Sequence, residues 1–396
     1  MSEGTGTGEI TRRARFGRLT ALFAAHAMGT ANITLVLSLA PVLQGQLGLS
    51  PTVFGWAVAS YYAAQTVWAL PAGWMVDRLG IRRVLMIAHV LLALGMTSIA
   101  LAQELVGLVA GTVLCGFGYA LVNPSTARGV LAWFDSRHRA TAMGVKQTGV
   151  PIGAVILAAL VALFAEDWRV LALALAAAMV ASMFAFTGLP AKGDTAPTST
   201  MLRDLRQVLG HRALNAINAA TCLYTAPLGA MLAYFVTYAY LTAQVSAATA
   251  SLLLALLQGA SAVGRIVWGI LGDRLPGNGR VTGLLICGTL GGACIAVLGF
   301  SSTLTALTAL ALLLGLTVGG FASLAQTVAV ESVEPRLAGA AMGYNMLLTT
   351  GGMMIGPAIF GAVLAWGGYR WAWSIMAASL LLGVVLFLTS ARQTRP

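Results

Sequence analysis

The sequence predicts an all-α membrane protein of twelve transmembrane helices arranged as two pseudo-symmetric six-helix bundles, and three observations lead there. First, hydrophobic residues make up 58% and charged residues 9% of the 396 positions, with a mean hydropathy of +0.85. Soluble domains carry roughly 25% charged residues, so this chain lacks the groups to face water all round. Second, its apolar runs extend for about 20 residues, the length that crosses ~30 Å of hydrocarbon. Lipid offers the backbone no hydrogen-bonding partner, so each run must be helical, and the short alternating segments of a membrane β-barrel do not occur. Third, the chain repeats itself at about half its length.

The predicted spans are 18–43, 52–75, 83–103, 105–131, 140–163, 168–190, 213–240, 246–271, 281–300, 303–330, 338–364 and 369–390. The first is too long for a cleaved signal and lacks a small-residue cleavage pattern. Residues 1–16, rich in Gly and Thr, read as a disordered cytoplasmic tail, 191–212 as a cytoplasmic linker and 391–396 as a second cytoplasmic tail. The bundles are then 17–190 and 213–390. Cys115, Cys222, Cys287 and Cys294 all fall in apolar runs and read as small buried residues.

Basic residues orient the spans. The first tail, alternate loops and the last tail hold eighteen Arg and Lys, among them Arg12, Arg78, Arg137, Arg203, Arg274, Arg336 and Arg392, while the other loops offer only Arg169 and Arg370. Such an excess marks the cytoplasmic side. Both termini are therefore expected inside, and the net charge of +11 is a topology signal rather than a nucleic-acid footprint.

The repeat is explicit. Gly73-Trp-Met-Val-Asp77-Arg78-Leu79-Gly80 returns as Gly269-Ile-Leu-Gly-Asp273-Arg274-Leu275-Pro276 at an offset of 196, and Ala142-Met143-Gly144 returns as Ala341-Met342-Gly343 at 199. Parallel halves with a solute site between them are a common way to build secondary transporters.

Gly73-x-x-x-Asp77-Arg78-x-Gly80-x-Arg82-Arg83, between the second and third spans, resembles the loop motif of the major facilitator superfamily, and Gly269, Asp273 and Arg274 resemble its weaker copy. The resemblance covers residues 17–390 and implies alternating access, with this cluster latching the cytoplasmic ends of the halves in the outward-facing state. Physically, Gly73 permits close helix packing, Asp77 can face neighbouring helix N-termini, and the arginines can pair with carboxylates or lipid phosphates.

Three cations lie inside predicted spans: Arg128 six residues before Phe134, Lys146 seven after Arg139, and Arg265 eight before Asp273. At 1.5 Å per residue each is about 9–12 Å from the cytoplasmic end. A charge at a helix centre costs roughly 2.5–3.5 kcal/mol on insertion scales. Of twelve acidic residues only Glu331 is near enough to help, and one acid cannot neutralise three bases. That surplus points to an anionic cargo. Arg128 is shallow enough to snorkel to the interface instead. Lys146 stands out in a chain with 21 Arg and two Lys, and Arg265 continues a polar stripe with Ser261 and Gln258.

Gly264-Arg265-x-x-x-Gly269-x-x-x-Asp273-Arg274 is similar to span eight of monocarboxylate and oxalate/formate transporters, which implies that Arg265 grips a carboxylate. The run from Gly144 through Lys146 and Pro151 to Gly153 is similar to bacterial facilitators grouped with nitrate and organic-anion carriers. Further polar stripes are candidate cavity linings: His26, Thr30 and Thr34; Asn218, Thr221 and Thr225, followed by Tyr234 and Tyr238; and Asn345 with Thr349, where Asn345 matches Lys146 across the repeat. Each can equally be packing glue between helices. His26 is a candidate carrier of a coupling proton; transit of the proton on the substrate, or exchange of anions, stays open.

The sequence departs from proton-coupled relatives in placing Thr112 where they often carry Arg, and from drug antiporters in lacking an acid inside spans one and four. The expectation is a monomeric carrier in a bacterial inner membrane, in contact with lipid, moving a small anion, and most simply a carboxylate. A multidrug or metabolite exporter of the same fold is the first rival, a non-transporting sensor or assembly factor the second. No enzyme activity, cofactor, metal or nucleic acid is expected.

Overall fold

The structure is a computed structural model and describes residues 12–49, 51–164, 167–190, 201–245, 247–276 and 278–393. All of its regular structure among these residues is helical. The first half holds α1 (Arg12–Ser38), α2 (Ala40–Leu47), α3 (Pro51–Leu79), α4 (Ile81–Leu101), α5 (Leu105–Trp133), α6 (Arg139–Gln147), α7 (Gly149–Phe164) and α8 (Trp168–Thr187). A short α9 (Met201–Gly210) precedes α10 (Arg212–Thr242), α11 (Ala247–Arg274), α12 (Gly279–Leu298), α13 (Leu304–Thr317), α14 (Ala322–Glu331) and α15 (Ala338–Gln393).

Among the described residues, nine helical stretches are long and apolar enough to cross a membrane. Their outward faces carry large apolar side chains such as Phe184 and Trp366, 77% and 71% exposed, as a lipid-facing surface requires. The predicted spans 52–75 and 140–163 fall on α3 and on the α6–α7 pair. Spans 338–364 and 369–390 share α15, which turns at Gly368, where a φ of 71° is open to glycine but strained for other residues.

Buried apolar side chains gather into two cores that follow the sequence repeat. One runs from Ala21 to Leu189 with Met342 and Met346 lodged against it; the other runs from Val208 to Phe387 and takes in Ala140. The cross-over residues sit in the first turns of α6 and α15 and, with Val330, at the end of α14, so the halves interlock at those helix ends.

Local breaks separate structure from expectation. Residues 12–16 are not a disordered tail: α1 begins at Arg12, because Arg and Ala are good helix formers; residues 1–11 lie outside the described residues. The linker contains α9, whose Leu205 and Val208 recur at helical spacing with Val208 fully buried; residues 191–200 lie outside the described residues. The last helix continues to Gln393, with 394–396 outside. The fifth predicted span is interrupted at Thr148, just before Gly149 and Pro151, and the tenth at Val318–Phe321, around Gly319-Gly320. Proline and glycine are the expected agents of such breaks. The four cysteines are free, with Cys115 and Cys287 buried and Cys222 and Cys294 half-buried.

Candidate functional site

The two motif copies form reciprocal latches. Asp77, at the end of α3, accepts hydrogen bonds from the backbone N–H of Gly339 (3.1 Å) and Ala340 (3.0 Å) at the start of α15. Asp273, at the end of α11, accepts from the N–H of Ala140 (3.1 Å) and Thr141 (2.8 Å) at the start of α6, and from Thr141 Oγ1 (2.7 Å). Each carboxylate thus satisfies the orphan donors of a helix in the opposite half.

Close backbone approach makes this possible. A Cβ on Gly73 would strike the Gly339 backbone, and one on Gly269 would strike Ala140. Gly144 faces the Arg265 backbone and Gly343 that of Ala69 in the same manner. Arg78 lies over the Trp74 ring, 5.2 Å from its centroid. Arg82 is half-buried, while Arg83 and Arg274 are exposed.

Arg128 belongs with this latch. Its Nε lies 3.7 Å from Asp77 Oδ1, and Nη1 donates to Pro335 O. The structure therefore supplies an acidic partner that sequence reasoning missed, and it separates Arg128 from the other two intramembrane cations. Glu331 is also engaged at this end, by Arg139 (3.3 Å) and Arg280. Arg280 reaches Asp273 as well, at 3.2 Å.

Lys146 and Arg265 are different. Lys146 is fully buried and Arg265 is 8% exposed. Lys146 Nζ donates to Thr126 Oγ1 (3.0 Å), Gln326 Oε1 (3.1 Å) and His26 Nε2 (3.3 Å), so its three protons all meet neutral acceptors. Arg265 Nε donates to Gly319 O (3.2 Å), and Nη1 to Gln147 O (2.9 Å) and Gln147 Oε1 (3.4 Å). Among the described residues, neither is paired with a carboxylate.

The helix breaks prepare this cluster. Interrupting the tenth span at Gly319-Gly320 frees the Gly319 carbonyl, which accepts from Arg265 and from Ser261 Oγ (2.9 Å). Ser323, one turn on, donates to Arg265 O at 3.1 Å. Gly149 lets α7 close on α1 against Phe23 and His26. With Lys146 charged, His26 Nε2 acts as acceptor, and Thr126 Oγ1 lies 2.8 Å from it. The imidazole proton then sits on Nδ1, a buried atom with no hydrogen-bond partner among the described residues.

The other predicted site residues lie apart. Asn345 Nδ2 donates to Asn218 Oδ1 at 2.8 Å, linking α15 to α10, both side chains buried. By the 199-residue repeat offset Asn345 stands where Lys146 stands in the first half. Tyr238 is not brought to the cluster. It is 20 residues beyond Asn218 on α10, about 30 Å along the axis. It donates to Ser301 O (2.7 Å) and packs on Tyr369 and Trp373.

Sequence reasoning missed Gln326, Gln147, Thr126 and Gly319. Gln147 follows Lys146 directly, and the Gly319-Gly320 pair inside an apolar run was a readable sign of a helix break. Gln326 and Thr126 carried no distinguishing signal.

The fold and this buried interface define a polytopic membrane solute carrier, a class that performs no enzymatic chemistry. A family model described as the Major Facilitator Superfamily matches residues 22–276 and 228–396, and the chain belongs to that family. It is similar to a galacturonate transporter of Dickeya chrysanthemi, 29% identical over 34% of this chain and 39% of that protein. Monocarboxylate transporter 13 of Rattus norvegicus is 28% identical over 79% of this chain and 74% of that protein. The methyl viologen resistance protein SmvA of Salmonella typhimurium is 34% identical over 27% of this chain and 22% of that protein. The chain thus spans less than half the length of several curated relatives it matches. Among solved structures, human organic anion transporter MFSD10 superposes with a TM-score of 0.82 at 16% identity, covering 94% of this chain and 99% of that one.

Proposed function

We propose that the protein is a secondary carrier of small organic anions, most simply carboxylates, with twelve spans in two six-helix halves, 17–190 and 213–390. Arg265 and Lys146 hold the anion between the halves, which rock around it in alternating access. The carrying observation is that, among the described residues, these two buried cations are met by neutral acceptors alone. A carboxylate supplies the missing counter-charge, and guanidinium pairs with it in bidentate geometry. His26 completes the basic cluster; Asn345, the counterpart of Lys146 across the repeat, forms with Asn218 a neutral polar pair in the second half. The arginine-rich ends, cytoplasmic by their charge, are latched by Asp77 and Asp273. A monomer in a bacterial inner membrane with both termini inside completes the reading, and both galacturonate and monocarboxylate carriers among the relatives support the cargo class.

Radiolabel uptake into proteoliposomes tests it. Transport of lactate or galacturonate, inhibited by other carboxylates and untouched by lipophilic cations, supports the proposal. The similarity to a methyl viologen resistance protein favours export of cationic compounds as the second reading, and cation-inhibited flux would establish that instead. Absence of any flux would support the non-transporting rival.

A further inference from the structure

Lys146 and Gln147 are neighbours on α6, yet they reach across the interface in opposite senses. Lys146 donates to Gln326 of the second half, while Gln147 accepts from Arg265 of that half. Gln326 is then turned so that its Nε2 donates back to Asn123 Oδ1 of the first half at 3.3 Å. Both cations therefore present a donor to a side-chain amide oxygen contributed by the opposite half.

An amide oxygen has nearly the shape and hydrogen-bonding geometry of one carboxylate oxygen, without the charge. A carboxylate has two such oxygens. The two cations are close enough for Arg265 to act electrostatically on Lys146.

Resting on the carrier reading above, we propose that Gln326 and Gln147 are built-in stand-ins for the cargo, each holding one cation with a neutral oxygen that one oxygen of the arriving carboxylate displaces. Exchange of a neutral acceptor for an anionic one is favourable, since charge-assisted hydrogen bonds are roughly twice as strong as neutral ones. The same exchange removes the Lys146 Nζ–Gln326 Oε1 and Arg265 Nη1–Gln147 Oε1 bonds, two of those that tie the halves at mid-depth, and leaves Arg265 on the Gln147 backbone carbonyl. Binding of the anion and loosening of the halves are then one event. The latches at Asp77 and Asp273 remain to be opened.

This role differs from that of a direct ligand in sign. A ligand lost weakens binding; a competitor lost strengthens it. The test measures lactate and galacturonate dissociation constants by calorimetry on the purified full chain, with melting temperature recorded in the absence of added anion. Gln326→Met, which keeps volume but cannot accept, is expected to tighten binding about tenfold, the factor for one charge-assisted bond that no longer needs displacing. Gln326→Glu supplies a permanent carboxylate and is expected to abolish anion binding while raising the melting temperature. Gln326→Asn, one methylene shorter, serves if the Met variant does not fold, and is also expected to tighten binding.

Weakened binding in Gln326→Met or Gln326→Asn, comparable to that of Lys146→Met, would overturn the proposal and make Gln326 a ligand. Undiminished anion binding by Gln326→Glu would overturn it too. A wild-type chain that binds neither anion would instead overturn the carrier reading, and this inference with it.

Discussion

Arg128, Arg139 and Arg280, at the latched ends of the helices, each lie within ion-pair distance of a carboxylate. Deeper in the same interface, Lys146 and Arg265 are held by a hydroxyl, an imidazole, amides and backbone carbonyls. The residue types are similar and the settings are not. Cations that fasten the helix ends come with their counter-charge, whereas on the proposed reading Lys146 and Arg265 are left for the cargo to neutralise. Charge counting by depth, rather than over the whole chain, is what separates them.

That contrast leads to opposite outcomes for similar substitutions. Gly73→Leu or Gly269→Leu should cause the most complete failure of transport, because the added side chain meets backbone of the opposite half and the latched state cannot close. Uptake is expected at background, while the protein still inserts. Next, Arg280→Met takes from Asp273 its arginine partner and from Glu331 one of two, leaving Arg139 on Glu331, in a largely buried site. Breaking such a pair costs about 3–5 kcal/mol when fully buried, and part of that here, so a clear drop in melting temperature is expected.

Lys146→Met is the counterpart and should act the other way. It removes a buried charge that has no acidic partner among the described residues, so the melting temperature is expected to hold or rise while anion binding disappears. A fall as large as that of Arg280→Met would mean that Lys146 is structural. Smallest is Asp77→Asn: its one amide oxygen still accepts from one N–H at the start of α15, while the second N–H loses its acceptor and the charge facing Arg128 is gone. Flux is expected to fall several-fold with the dissociation constant of the anion unchanged within about twofold, as befits a residue remote from the cargo.

Much of this was legible before any coordinates. Apolar run length, the arginine asymmetry and the half-length repeat gave the helical membrane architecture, because lipid leaves few alternatives for a backbone. The expectation that Asp77, at a helix end, faces a neighbouring helix N-terminus matches its bonds to the start of α15, and its repeat at Asp273 meets the start of α6 in the same way; a latching role was only what the family resemblance implied. Partnering was not legible. Arg128 and Lys146 look alike in sequence, each a cation several residues inside a span; only the fold shows that Asp77, 51 positions away from Arg128, answers one and not the other. Tyr238 lies far along α10 from the Lys146–Arg265 cluster, beside Ser301 and Tyr369, because a polar stripe does not say which of its members share one depth. Gln326 was invisible because a glutamine in an apolar run carries no mark of the residue it will meet.

Thermal-shift titration of purified wild type and Arg265→Ala with small carboxylates bears most directly on the unneutralised pair. Stabilisation by lactate or galacturonate in the wild type is expected, and Arg265→Ala should weaken binding at least about thirtyfold, the factor for the ~2 kcal/mol lower bound on truncating a buried hydrogen-bonded charge partner. Stabilisation that survives in Arg265→Ala would contradict the account.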